Sequence, residues 1–299
     1  MKYLITGASG QLGRAVNDYA RFRGYESLAF DSSQLDICNA DQVISVIDEV
    51  RPDYVINCAA FTDITKAKDD PKLCYAVNAD GVRTLALACQ RYDIELIHLS
   101  SDHVFSGNKN GQYHENDEAD PIGEYGRSKL LGEQYLRSVW HKHIILRSSW
   151  VFGEYGDNFF TRILAAANNS GAELKVHADQ HGCPTYSHDL AAVVVAITEQ
   201  LNCRTTDQLW GTYHYCGYDT TTWHKLALYI LQENGRFTNT TPPAITPIAT
   251  EDHQPNWLQR PNSVLNCQKI LNIFGIKQRP WKNGVIKSLK AFYVDRVAS

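Results

Sequence analysis

The stretch Lys2-Tyr3-Leu4-Ile5-Thr6-Gly7-Ala8-Ser9-Gly10-Gln11-Leu12-Gly13 decides the fold. Its opening, Lys2 to Thr6, reads as a short apolar strand, and the glycines follow at once. From Gln11 to Phe22 apolar residues recur at helical spacing, with Leu12, Val16, Tyr19 and Ala20 on one face. Strand, glycine turn and helix together aim backbone N–H groups and the positive helix end at a pyrophosphate. The spacing is G-x-x-G-x-x-G, one residue longer in its first step than the G-x-G-x-x-G of dinucleotide-binding folds. Gly7, Gly10, Gln11, Leu12 and Gly13 are therefore cofactor-binding candidates. An ordinary glycine-rich turn is the competing reading.

Working outward, a second strand, Glu26 to Phe30, ends at Asp31, 18 residues past Gly13. An acidic side chain there takes the adenosine ribose hydroxyls and repels a 2′-phosphate. No Arg or Lys follows before Arg51, so NADH is expected in preference to NADPH. The alternative is a loop aspartate that caps a turn. Further strands are read at Tyr54–Asn57, Ile94–Leu99, His143–Arg147 and Tyr213–Cys216, with helices from Pro71 to about Gln90, Gly123–Val139 and Asp189–Leu201. This alternation predicts an α/β chain with a doubly wound, mainly parallel Rossmann-type sheet and a smaller C-terminal substrate domain. The expected division gives residues 1–149 plus about 186–215 to the NAD(P)-binding domain. About 150–185 plus 216–299 go to the substrate domain. The stretch Phe237 to Gln259, rich in Thr, Asn and Pro, reads as loop beside the cleft.

The chemistry is carried by Ser100-Ser101-Asp102, at the C-terminal end of an apolar strand, and by Tyr125 and Lys129 on one face of the following helix. In open parallel sheets that strand end faces the ligand crevice. A free tyrosine has a pKa of about 10, and a neighbouring ammonium stabilises its phenolate. Tyr125 is expected to give a proton to a developing alkoxide, and Ser101 to hydrogen-bond that oxygen. Lys129 is expected to lower the pKa of Tyr125 and hold the nicotinamide ribose. A lone Y-x-x-x-K is common; its place behind the serine strand and the glycine turn gives it weight. Trp150, at another strand end, offers an aromatic face to cover a sugar ring, against the alternative of a core tryptophan.

Composition narrows the classes. A net charge of −4 over 299 residues argues against a nucleic-acid or anionic-membrane surface. No apolar run approaches the ~20 residues of a membrane span. The first residues read straight into the strand and glycine turn, so no signal peptide is expected. Eight cysteines without a C-x-x-C suit buried reduced thiols, and a cytoplasmic chain is expected. His141 and His143, and His177, His181 and His188, read as surface or loop histidines rather than metal ligands, so no metal is expected.

Thr6 to Gly13, Asn57-Cys58-Ala59-Ala60, Ser101 and Tyr125-Gly126-Arg127-Ser128-Lys129 together resemble the extended short-chain dehydrogenase/reductases. Leu99 to Gly107, Tyr125 to Glu133, Arg147 to Gly153, Asp179 to Thr185 and Arg260-Pro261-Asn262-Ser263 are similar to the dTDP-4-dehydrorhamnose reductases. The resemblance runs from residue 1 to about 290. It implies reduction of the C4 ketone of a nucleotide-linked 4-keto-6-deoxyhexose, with NADH or NADPH. It further implies Gly10, Gln11 and Leu12 at the pyrophosphate, Asp31 at the ribose, and Asp36 and Ile37 at the adenine. Ala59, Ala60 and Phe61 would lie along the cofactor, which Tyr125 and Lys129 would also contact, and Ser101, Asp102, Tyr125 and Trp150 would lie at the sugar. By analogy with relatives it implies a homodimer. Two departures stand near the sugar pocket. His103 replaces the usual tyrosine, and Thr65-Lys66-Ala67-Lys68 replaces a helix start with carboxylates, which predicts a weakened N-terminal cap. Asp102-His103 lacks the Asp-Glu pair of the nucleotide-sugar 4,6-dehydratases. A cofactor-binding regulatory subunit and a 4-epimerase remain as alternatives.

Overall fold

Six strands, all paired in parallel, form the central sheet of this computed structural model, which describes residues 1–167, 174–204, 207–250 and 260–297. They are β1 (Lys2–Thr6), β2 (Glu26–Phe30), β3 (Tyr54–Asn57), β4 (Glu95–Ser101), β5 (His143–Ser148) and β10 (Gly211–His214), in the order β10-β5-β4-β3-β1-β2. The chain winds outward from β1 in both directions, so a crevice opens where the order reverses, beyond the strand ends Thr6 and Asn57.

Alternating side chains explain the two buried faces. Tyr3, Ile5, Ile97, Leu99, Ile144 and Leu146 pack with helices α1 (Gln11–Phe22) and α8 (Ser187–Cys203). Leu4, Val55, Leu96 and Ile145 face the other way, against α2 (Ala40–Val50) and α5 (Gly81–Tyr92). Each such aliphatic side chain, fully buried, contributes roughly 1.5–3 kcal/mol before chain entropy is set against it. The helix expected from Pro71 is continuous in path but not in type. Helix α4 (Pro71–Tyr75) passes through a π turn at Ala76–Asp80 into α5.

A third apolar cluster lies apart from the sheet. It joins β6 (Val151–Phe152), α7 (Phe159–Ala167), β7 (Leu174–His177) and β9 (Thr185–Tyr186) to α9 (Trp223–Thr238) and α11 (Trp281–Val297). Its buried members include Phe152, Phe160, Tyr186, Ile230 and Trp281. Two short pairings border it: β8 (His181–Gly182) with β11 (Thr221–Thr222), and β7 with β12 (Ile245–Ile248).

Three expectations need correction. Residues 264–274, including α10 (Gln268–Phe274), were expected with the second domain. Instead Leu265, Cys267, Ile270 and Phe274 pack into the sheet's own cluster, because Phe274 meets Tyr213 of the edge strand. The stretch Phe237 to Gln259 is not all loop, since Ile245–Ile248 forms a parallel strand on β7; residues 251–259 lie outside the described residues. The helix after Phe61 keeps its N-terminal cap. Asp63 accepts from the Lys66 N–H at 2.9 Å and caps α3 (Ile64–Asp69), which places Lys66 and Lys68 in the favourable last turn.

Candidate active site

The first wall of the crevice is made of backbone. Gly10, extended at φ −74, opens α1 with no side-chain cap, so the first N–H groups of the helix are left for a ligand. Gly7 sits at φ +70, and a Cβ there would fall 2.6 Å from the Ala59 backbone nitrogen in the loop after β3. A methyl group at Gly13 would stand 2.2 Å from the Gly7 carbonyl oxygen, so only glycine lets the helix approach the turn. Half-buried Leu12 packs on the core beneath. Gln11 donates to the Val151 carbonyl at 3.3 Å, and its buried Oε1 has no hydrogen-bond partner among the described residues. A cradle that admits no Cβ, an uncapped helix start and an orphaned amide oxygen together fit a dinucleotide.

Ala59, Ala60 and Phe61 follow β3 as a half-buried strip along this wall. Asn57 accepts from the Ala59 N–H at 3.1 Å, and Asn78 clamps Phe61 through both its N–H and its carbonyl. Asp31 does cap a turn: one carboxylate oxygen takes the Ser33 N–H, the Ser33 hydroxyl and the Gln34 N–H, and these bonds hold its pKa below the usual range. Asp36 likewise accepts from the Cys38 N–H. The Ile37 side chain is buried under Gly81, which leaves its backbone as the part that can face the crevice.

Across the crevice stand Ser101, Tyr125 and Lys129. Ser101 ends β4, and Tyr125 and Lys129 lie in α6 (Glu124–Val139). Gly126 lets α6 press against the turn at 102–104, where a Cβ would fall 2.1 Å from the His103 carbonyl oxygen. That approach puts the Tyr125 phenol beside Ser101, near enough for the serine hydroxyl to oppose the effect of burial on the phenol. Further along α6, buried Glu133 accepts from Ser100 at 2.6 Å and from Arg147 at 2.8 and 2.6 Å, which ties the helix to β4 and β5. Burial alone would raise the Glu133 carboxyl, and Arg147 outweighs it, holding the group ionised.

One expectation is reversed here. Burial pushes Tyr125 up to about 12, and the groups that oppose it are Ser101 and Arg260 rather than Lys129. The Lys129 amine is buried, donates to the Leu99 carbonyl at 2.7 Å and lies 3.5 Å from His98 Nε2. Burial lowers it to about 8, against the pull of Glu133.

Arg260 is the residue the sequence reading passed over. Its guanidinium donates to the Asp102 carboxylate at 3.0 Å and to the Asp102 carbonyl at 2.7 Å. Burial raises the Asp102 carboxyl, but Arg260, His103 and Ser263 together bring it below the usual range. Asp102 also accepts from the Ser101 hydroxyl at 3.1 Å, so serine, carboxylate and guanidinium form one chain beside Tyr125. The available signal was Arg260 itself, within the quoted Arg260-Pro261-Asn262-Ser263 motif. His103 lays its ring edge-on to Tyr125 at 5.2 Å, and burial lowers it to about 3, so it is neutral at physiological pH.

Trp150 is half-buried and takes a left-handed backbone, φ +49, which is rare for a bulky residue. Its ring stacks on Trp223 at 3.5 Å and covers Gly182, so the core-tryptophan reading holds for one of its faces. The histidines find other partners: His143 bonds the Trp140 carbonyl, His181 the Asp179 carbonyl and His188 the Glu154 carboxylate. Among the described residues no three His, Cys, Asp or Glu side chains converge as a metal site, and no helix is long and apolar enough to cross a membrane.

A parallel sheet with a glycine turn at its switch point and a Ser–Tyr–Lys set beside it defines the class: an extended short-chain dehydrogenase/reductase. Within that class the chain belongs to the family described as RmlD substrate binding domain, which matches residues 1–294. It is 41% identical over 294 residues to a dTDP-4-dehydrorhamnose reductase of Aggregatibacter actinomycetemcomitans, covering 97% of this chain and 99% of that one. Among solved structures, it is similar to a dTDP-4-dehydrorhamnose reductase from Clostridium acetobutylicum, at TM-score 0.89 and 32% identity, over 98% of this chain and 100% of the other. A dTDP-4-dehydrorhamnose reductase from Bacillus anthracis, solved in complex with NADP, matches at TM-score 0.86 and 32% identity over 97% and 99%.

Proposed function

We propose that this chain is an NAD(P)H-dependent reductase of the C4 ketone in a nucleotide-linked 4-keto-6-deoxyhexose, of the dTDP-4-dehydrorhamnose reductase kind. The observation that carries the reading is the buried Tyr125 phenol beside Ser101, with the hydrogen-bonded Ser101–Asp102–Arg260 chain next to it at the crevice. Residues 1–149 and about 186–215, with 264–274 packed on them, would carry the cofactor, and the third apolar cluster would carry the sugar nucleotide.

When bound, the reduced nicotinamide supplies a hydride to the carbonyl carbon. Gly7, Gly10, Gln11, Leu12 and Gly13 would hold its pyrophosphate, Asp31 its adenosine ribose, and the backbone at Asp36 and Ile37 its adenine. Ala59, Ala60 and Phe61 would line it toward the reacting end. With its pKa near 12, Tyr125 keeps its proton at neutral pH and releases it only to a strong base. The oxygen that gains charge as the ketone is reduced is such a base, so Tyr125 protonates it while the Ser101 hydroxyl turns its one proton from Asp102 to that oxygen. Lys129 contributes positive charge from behind and a donor to the nicotinamide ribose. Asp102, kept ionised by Arg260, accepts from a sugar hydroxyl, and Trp150 offers its free edge to the ring.

The test is to mix the purified chain with NADH and a 4-keto-6-deoxyhexose nucleotide and follow absorbance. A reductase consumes NADH in proportion to sugar, an epimerase changes the sugar without net consumption, and a regulatory subunit does neither. Asp31 also leads us to propose a preference for NADH. Asp31→Ala is expected to raise kcat/KM for NADPH relative to NADH by about tenfold, roughly 1.4 kcal/mol. An unchanged ratio would remove Asp31 from cofactor choice.

A further inference from the structure

A chain of buried polar side chains, Thr6, Asn57, His98 and Lys129, crosses the sheet from β1 to α6. The catalytic reading above uses only its last member. All four are at most 1% exposed, so every donor and acceptor along it must be matched within the protein.

One end fixes the proton positions of the rest. The Ala59 backbone N–H can only donate, and it meets the Asn57 amide at 3.1 Å, so the atom it meets is Oδ1. The Thr6 hydroxyl donates to the same oxygen at 2.7 Å. The other amide atom, Nδ2, is a donor only and lies 3.0 Å from His98 Nδ1, which must therefore accept. A neutral imidazole that accepts at Nδ1 carries its proton on Nε2. Burial and the adjacent Lys129 both oppose a second proton on this ring. The Nε2–H thus faces the Lys129 amine at 3.5 Å, while that amine donates to the Leu99 carbonyl.

We propose that His98, oriented by Asn57, is a positioning residue that presents an N–H rather than a lone pair to Lys129, so that the lysine's place depends on its own proton. An amine has one lone pair, which takes the His98 N–H while its own N–H stays on Leu99. An ammonium has three N–H groups and no lone pair, so it is turned away from the ring, toward the crevice. The remaining groups facing Lys129 are Glu133 on its own helix, Cys58 after β3 and Cys74 on α4, all of which favour the charged form. His143 and Arg137 face His98 and, with Lys129, keep its ring neutral. Only the kinetic arm below rests on the catalytic reading of Lys129.

The first experiment uses the unaltered protein without cofactor. Long-range nitrogen–carbon-proton NMR of ¹⁵N-labelled histidine, assigned with His98→Gln, is expected to show Nδ1 bare and Nε2 protonated. A proton on Nδ1 overturns the proposal outright, whatever the variants do. Second, the Lys129 side chain is titrated by NMR of ¹³C-labelled lysine, assigned with Lys129→Arg. His98→Gln keeps the acceptor-then-donor order and should leave the lysine midpoint within a few tenths of a unit. Asn57→Asp puts a carboxylate on Nδ1, moves the histidine proton there and frees an Nε2 lone pair for the ammonium. The lysine midpoint should then rise by about one unit or more, a tenfold change in proton affinity, with the histidine signals showing the transferred proton. A Gln variant that shifts the midpoint as far as the Asp variant overturns the proposal. If the NMR shifts occur but the alkaline limb of kcat does not follow them, the positioning stands and the catalytic reading of Lys129 fails.

Discussion

Within the glycine turn the contacts run between near neighbours, Gly10 N–H to the Gly7 carbonyl and Gly13 pressed on that same oxygen, whereas across the crevice Asp102 is held by Arg260, 158 positions later in the chain. The first wall presents backbone and tolerates no added atoms. The second presents side chains drawn from separate segments: Trp150 stacks on Trp223, and the His181 backbone pairs with Pro261 and Ser263. One wall is therefore broken by insertion of volume, the other by loss of a partner.

The comparison can be tested from its reacting centre outward. Tyr125→Phe should cut turnover by something like 10²–10⁴-fold while cofactor affinity, proposed to rest mainly on the opposite wall, stays within about twofold. Steady-state kinetics with a direct cofactor titration checks both, and full activity would remove Tyr125 from the mechanism. Arg260→Met leaves Asp102 as a buried charge without its partner, at a cost of about 3–5 kcal/mol in denaturant unfolding. Asp102 is held below its ordinary pKa, so the pair's stabilisation exists above that ordinary value and disappears as pH falls through the lowered one. The deficit of Arg260→Met should accordingly shrink below about pH 4. A deficit independent of pH would mean that lost packing, not charge, is responsible.

Gly13→Ala attacks the other wall. Its Cβ meets backbone rather than a flexible side chain, so a loss of about 1–3 kcal/mol is expected, with weakened cofactor binding and an unaltered Asp102–Arg260 pair. The smallest effect concerns His103, which burial holds at about 3 in the folded chain. The unfolded chain binds its proton more readily below about pH 6.5, so stability is complete above that value and falls as pH drops toward 3. In His103→Tyr the loss of stability between pH 7 and pH 6 should be roughly 0.7 kcal/mol smaller. Equal slopes in the two proteins would show that His103 does not titrate on unfolding.

The same contrast explains what could be read from the sequence. The glycine turn, α1, β2 and β3 fall where periodicity and turn chemistry place them, since their determinants are consecutive. Ser101, Tyr125 and Lys129 were legible because a strand end and one helix face suffice to bring them near each other. Arg260 was visible only as part of a motif, because its partner is fixed by tertiary packing that no local pattern encodes. Asn57 was visible only within the Asn57-Cys58-Ala59-Ala60 motif, and His98 only as one residue of the Ile94–Leu99 strand; the β3–β4 register pairs them. The Tyr125 pKa was misjudged for a related reason. The i,i+4 spacing suggested a controlling lysine, whereas burial dominates.

The distance in sequence between Asp102 and Arg260 bears on how the chain is made. Synthesis proceeds from the N-terminus, so the strands that form the nucleotide pocket leave the ribosome well before residue 260 does. A nascent chain of that length would hold the strands of the glycine-turn wall but leave the Asp102 carboxylate without its guanidinium partner. The Asp102–Arg260 pair is therefore completed late in translation, after the strands of the first wall have emerged.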